Sequence, residues 1–101
     1  MRQVMVRYRV KAGREAENDA LVRAVYEELA SVQPEGFRYA TFRFDERSFM
    51  HVAFTEGDTA PLPGLAAFKE FTRDIGERCD EPPVVTQLDE VGSFRFDGSA
   101  S

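Results

Sequence analysis

Residues 36–54 read GFRYATFRFDERSFMHVAF, two runs of aromatic and apolar residues around the charged turn Asp45-Glu46-Arg47-Ser48. The runs read as a β-hairpin. A strand with one face in water is apolar at alternate positions only. Here Phe37, Tyr39, Phe42, Phe44, Phe49, Met50, Val52 and Phe54 occupy both parities. Both faces of the hairpin therefore need cover. A helix pair, a second copy of the chain or a substrate beside His51, the sole histidine, could supply it.

Working outward, VMVRYRVK alternates Val4, Val6, Tyr8 and Val10 with Met5, Arg7, Arg9 and Lys11, a period-two strand over about residues 3–11. Leu21, Val22, Val25, Tyr26 and Leu29 then recur at helical spacing, behind Glu15, Glu17 and Asp19, which favour a helix N-terminus. This predicts a helix over roughly 14–32, closed by QPEG. After the hairpin, EGDTAPLPG carries two prolines and two glycines, forming the longest irregular segment and a candidate lid. Leu65, Phe68, Phe71, Thr72 and Ile75 predict a second amphipathic helix ending near Gly76 to Cys79. Pro82 and Pro83 restore extended geometry, and VVTQLDEVGSFRF reads as a last strand with a bulge or break near Asp89 to Gly92.

The order β-α-β-β-α-β predicts an α+β, ferredoxin-like fold: an antiparallel sheet with both helices on one face. One domain spans 1–96, and residues 97–101, DGSAS, form a polar tail expected to be disordered. By alternation, Val4, Val6, Tyr8, Val10, Met50, Val52 and Phe54 are assigned to the helix side. Phe49, His51, Ala53 and Thr55, with Met5, Arg7 and Arg9, are assigned to the open side. An open face mixing aromatic and charged groups predicts a homodimer through that surface, which would cover Phe49 and its neighbours.

Composition narrows the function. Thirteen Lys and Arg against eighteen Asp and Glu give a net charge of −5, which disfavours a nucleic-acid partner. Residues 1–14 hold Arg2, Arg7, Arg9, Lys11 and Arg14 and no acid, so a basic strand sits in an otherwise acidic chain. No window resembles a signal peptide or membrane span, and Cys79 is the single cysteine; both suit a cytoplasmic protein without disulfides. One His and one Cys cannot close a metal site, so no metal and no cofactor are expected.

The segments MVRYRVKAGREAENDALVRAV, GFRYATFRF and AAFKEFTRDI, with the last strand, resemble the dimeric α/β-barrel superfamily, and within it the antibiotic biosynthesis monooxygenase-like proteins. The resemblance implies two sheets packed face to face in a homodimer, with C-terminal segments reaching across. It also implies that a pocket between helices and sheet can house cofactor-independent oxidation of aromatic compounds. The chain has no Trp, its one Asn is Asn18, and the second helix has no His where a haem-degrading relative presents a ligand, so haem is not implied.

His51 is the candidate general base, since imidazole exchanges protons near neutral pH; an interface role on the open face is the competing and preferred assignment. Arg7 and Arg9 could hold a substrate anion, or pair with acids of the last strand or of a partner chain, such as Asp89 or Glu90. Tyr8, Tyr39 and Phe68 could wall an aromatic pocket, with Tyr26 and Phe71 beside them, or serve as plain core. Two functions follow: a small cofactor-independent oxygenase acting on an aromatic or enolisable substrate, or a non-catalytic or stress-related homodimer holding a small apolar ligand.

Overall fold

The structure, a computed structural model, describes residues 2–57 and 60–96. The expected tail at 97–101 and part of the lid segment lie outside these residues. The chain runs β1 (Arg2–Val10), α1 (Glu15–Val32), β2 (Phe37–Phe44), β3 (Ser48–Thr55), a 3-10 turn (Leu62–Gly64), α2 (Ala66–Thr72), α3 (Ile75–Arg78) and β4 (Cys79–Gln87). The strands form one sheet in the order β2-β3-β1-β4, with every pairing antiparallel. This is the expected α+β ferredoxin-like arrangement.

The hairpin turn is tight. Phe44 pairs with Ser48, and Asp45 and Glu46 adopt φ values of 46° and 72°. Two successive left-handed residues twist the chain back in the sense that favours a hairpin. Helix α1 starts beside Gly13, whose φ of 89° lets the chain reverse after β1. The exposed backbone N–H groups at the start of α2 are satisfied from another element: Ala66 N and Ala67 N donate to the Glu28 carboxylate on α1 at 3.3 and 2.8 Å. That contact fixes one helix against the other.

The second helical segment is broken where one helix was expected. Asp74 takes a φ of 58° between α2 and α3, interrupting the helical backbone. The last strand also differs from expectation. It begins at Cys79 and ends at Gln87, so residues 88–96 lie outside it, and both prolines lie within it. As an edge strand β4 tolerates their missing donors, and its register with β1 shifts between Arg7 and Val10, opposite that segment.

The largest correction concerns β3. Val6 pairs with His51, Tyr8 with Phe49 and Val4 with Ala53. Directly opposed residues share a face, so Phe49, His51 and Ala53 lie on the helix side with Val4, Val6 and Tyr8. Met50, Val52 and Phe54 take the open side, the reverse of the alternation assigned from sequence. A strand apolar at both parities cannot reveal its own register; the hairpin and the β1 pairing set it. The core accordingly joins Tyr8, Val10 and Phe49 of the sheet to Val22 and Val25 of α1 and Phe71 of α2.

Candidate active site

His51 is buried under the helices with partners on both ring nitrogens. The Tyr8 hydroxyl lies 2.8 Å from Nε2. The Tyr39 hydroxyl lies 2.6 Å and the Thr41 hydroxyl 3.0 Å from Nδ1. Strand geometry explains the convergence: Thr41 and Val6 flank His51 across the sheet, with Tyr8 and Tyr39 two residues further along on the same face. The hydroxyl groups let a polar ring occupy an apolar layer without an unpaired atom.

The network continues past the imidazole. Asn18 Nδ2 donates to the Tyr8 hydroxyl at 2.8 Å, and Arg78 Nε donates to Asn18 Oδ1 at 3.0 Å. Arg78 Nη2 donates to the Phe71 carbonyl at 2.7 Å, while its guanidinium carbon lies 5.5 Å from the Phe71 ring centre. Arg78 is thus a buried cation held by neutral acceptors and an aromatic face. On the other side, the Tyr26 hydroxyl lies 2.7 Å from that of Thr41.

Beside this cluster lies a cavity of about 330 Å³. Tyr8, Tyr39 and His51 contribute to its wall, and Leu62, Phe68, Phe71 and Ile75 make most of the remainder apolar. The volume suits a small organic molecule. Burial pushes the His51 pKa down to about 4, because the charged ring loses its hydration. Burial likewise pushes the Tyr8 and Tyr39 phenols well above their ordinary value. At neutral pH the cluster is therefore an uncharged imidazole between two uncharged phenols.

Four of the six residues singled out from sequence, Tyr8, Tyr39, His51 and Phe68, meet at this cavity. Arg7 and Arg9 do not, since they project from the opposite face of the sheet. A hollow there of about 330 Å³ is lined by Arg7, Arg9, Asp45 and Glu81 among others. Arg9 pairs with Glu81 at 3.5 Å, an acid of the last strand other than the two expected. Glu90 instead accepts from Gln3 Nε2 at 3.5 Å. Among the described residues no three His, Cys, Asp or Glu side chains group to hold a metal ion. No helix there is long and apolar enough to cross a membrane.

Sequence reasoning gave Asn18, Thr41 and Arg78 no part in the site. Asn18 carried a usable signal, because it falls on the stripe with Leu21, Val22 and Val25 that faces the core. A carboxamide there calls for a buried partner. Arg78 carried none, since it stands in the charged run GERCDE.

Solved structures described as antibiotic biosynthesis monooxygenases share this ferredoxin-like fold over nearly the whole chain. A protein of Bordetella bronchiseptica described as an antibiotic biosynthesis monooxygenase is 25% identical, with a TM-score of 0.63 over 90% of this chain and 97% of its own. A Nitrosomonas europaea protein of the same description has a TM-score of 0.75 at 14% identity, over 91% of this chain and 100% of its own. SnoaB of Streptomyces nogalater, a cofactor-independent oxygenase solved as a variant, has a TM-score of 0.67 at 14% identity, covering 91% and 94%. No protein-family model and no curated protein sequence matches the chain.

Proposed function

We propose that the protein is a small oxygenase-type enzyme that binds an aromatic, enolisable molecule in the cavity and activates it without a cofactor. The observation that carries this reading is the uncharged imidazole of His51 held between two phenols in the wall of an apolar cavity. Both ring nitrogens are engaged by hydroxyl groups, so a ligand exchanges protons with the imidazole through a phenol. One phenol carries the proton of the acidic C–H towards the ring, while the other donates to the ligand oxygen on which negative charge develops. That charge beside the ring raises the affinity of His51 for the proton.

The remaining chemistry belongs to the substrate. The carbanion passes one electron to O2, the radical pair combines into a hydroperoxide at that carbon with return of the proton, and loss of water leaves a carbonyl. For anthrone the balance is anthrone plus O2 giving anthraquinone plus water. The test is oxygen uptake and quinone formation with anthrone. Replacing Tyr39 by Phe is expected to lower kcat/KM by roughly 10²-fold, the scale of a lost proton-transfer or oxyanion contact. Equal turnover by the variant would overturn the reading.

The almost wholly apolar wall beyond the cluster favours one further reading, a non-catalytic holder of a small apolar ligand. Binding of anthrone with no oxygen uptake would select it. In either case we propose that a second copy covers the open sheet face, because Phe42 and Val84 stand 54% and 56% exposed there.

A further inference from the structure

We propose that Arg78 and Asn18 act as positioning residues that fix the tautomer of His51, placing its proton on Nδ1 and leaving Nε2 as the accepting nitrogen. The direction of each hydrogen bond follows from the last. A guanidinium donates only, so the atom of Asn18 that meets Arg78 Nε at 3.0 Å is its carbonyl oxygen. The amide NH2 of Asn18 is thereby turned to Tyr8, and the Tyr8 oxygen accepts at 2.8 Å. The proton of Tyr8 is left to point at His51 Nε2, 2.8 Å away, which must then carry a lone pair.

A neutral imidazole with a lone pair on Nε2 carries its proton on Nδ1. That N–H faces the Tyr39 oxygen at 2.6 Å, with the Thr41 oxygen further off at 3.0 Å. The Tyr39 proton then turns away from the ring, towards Thr41 in the empty protein and towards a ligand oxygen when the cavity is filled. The opposite tautomer would give the Tyr8 oxygen two incoming hydrogens, from Asn18 and from Nε2. Its own buried proton would then face two groups that cannot accept it, a mismatch that favours the first tautomer by roughly tenfold or more.

Tyr39 is therefore the donor to the ligand and Tyr8 the path by which a proton reaches Nε2. In this bearing on a ligand the inference rests on the reading of the cavity given above. The tautomer itself is a property of the empty protein and is measured without turnover.

The test is long-range 1H–15N correlation NMR of 15N-labelled protein at neutral pH, in which the imidazole carbon-bound protons report which ring nitrogen bears hydrogen. The native chain is expected to show His51 in the Nδ1–H form. Asn18→Asp is the decisive variant, because a carboxylate accepts from Arg78 and from Tyr8 at once. Tyr8 then turns its proton to the carboxylate and accepts from the ring, so His51 is expected to switch to the Nε2–H form. The Nε2–H form or an even mixture in the native chain would overturn the proposal, as would an unchanged tautomer in Asn18→Asp. Should that variant fail to fold, Arg78→Met frees the Asn18 amide to rotate. A mixture of tautomers is then expected, and retention of the native form alone would overturn the assignment. An inactive protein with the expected spectra sinks the oxygenase reading and leaves this one standing.

Discussion

The two faces of one sheet meet different demands. Under the helices, Tyr8, Phe49, Tyr39 and His51 form a layer whose polar atoms bond to one another. On the other side Arg7, Arg9, Arg38, Phe42 and Phe44 make a mixed surface. There the Arg38 guanidinium lies 5.1 Å from the Phe54 ring centre, and Phe42 and Phe44 stand exposed. Neighbouring residues of one hairpin serve both: Phe49 is 2% exposed and Phe42 54%. Similar side chains therefore lie in the core or at an exposed face according to strand parity.

The sharpest way to break that contrast is to place the same charge on each face. Phe49→Asp removes a ring stacked 5.5 Å from Tyr8 and leaves a carboxylate in the core. A loss on the order of 4 kcal/mol is expected, enough to unfold a domain of this size, read by denaturant titration. Had Phe49 faced outward, as its sequence position suggested, the same change would only have loosened an assembly. A folded, dissociated Phe49→Asp chain would contradict the observed register.

The buried face should also be sensitive to acid. The folded pKa of His51 lies at about 4 against an ordinary value of 6.5. Between those values the unfolded chain binds the extra proton and the folded chain does not, so stability falls as pH drops from 6.5 towards 4. The contribution is present above pH 6.5 and amounts to at most on the order of 3 kcal/mol lost by pH 4. Carboxylates titrate in the same range, so the comparison is with His51→Gln, which cannot ionise. Parallel stability curves for the two chains across this window would show that the ring is not held neutral.

The sequence disclosed the architecture and half disclosed the site, for identifiable reasons. Strand β1 and helix α1 each have one apolar stripe, so period and face were both readable from Val4, Val6 and Tyr8 and from Val22 and Val25. Strand β3 is apolar at both parities, and the face of His51 is set by pairing with Val6, a relation between residues 45 positions apart that no local pattern encodes. The phenols were candidates because aromatic rings with polar tips suit pocket walls. Arg78 was invisible, since only tertiary structure turns one arginine of a charged run inward to Asn18. The same limit applies to β4, where Pro82 and Pro83 read as a strand boundary but occupy an edge that tolerates them.

On the open face the companion substitution is Phe42→Asp. The ring already meets solvent in the single chain, so the stability of the monomer should shift by no more than about 0.5 kcal/mol. If a second copy covers this face, the loss appears in association, where a central aromatic contact contributes roughly 2 kcal/mol or more. Sedimentation velocity of the two chains at matched concentrations reads the difference. A dimer of unchanged affinity would move the contact elsewhere on the molecule.

Arg9 gives the smallest effect and the finest discrimination. Its pair with Glu81 spans 3.5 Å with both side chains well exposed, an arrangement worth less than about 1 kcal/mol in water. One atom is out of keeping with that setting: the Arg9 Nε is buried without a hydrogen-bond partner. If the face stays in solvent, Arg9→Gln should change stability by less than about 1 kcal/mol, and the change should shrink further as salt is added. If a second copy closes over it, the pair is desolvated, and loss of one partner leaves Glu81 unpaired away from water. The penalty would then exceed that figure, fall on dimerisation, and resist salt. Urea titrations at several protein concentrations and two ionic strengths separate these outcomes. A small, salt-screened and concentration-independent change would mean that Arg9 remains in solvent, confining any second copy to the end of the open face that holds Arg38 and Phe54.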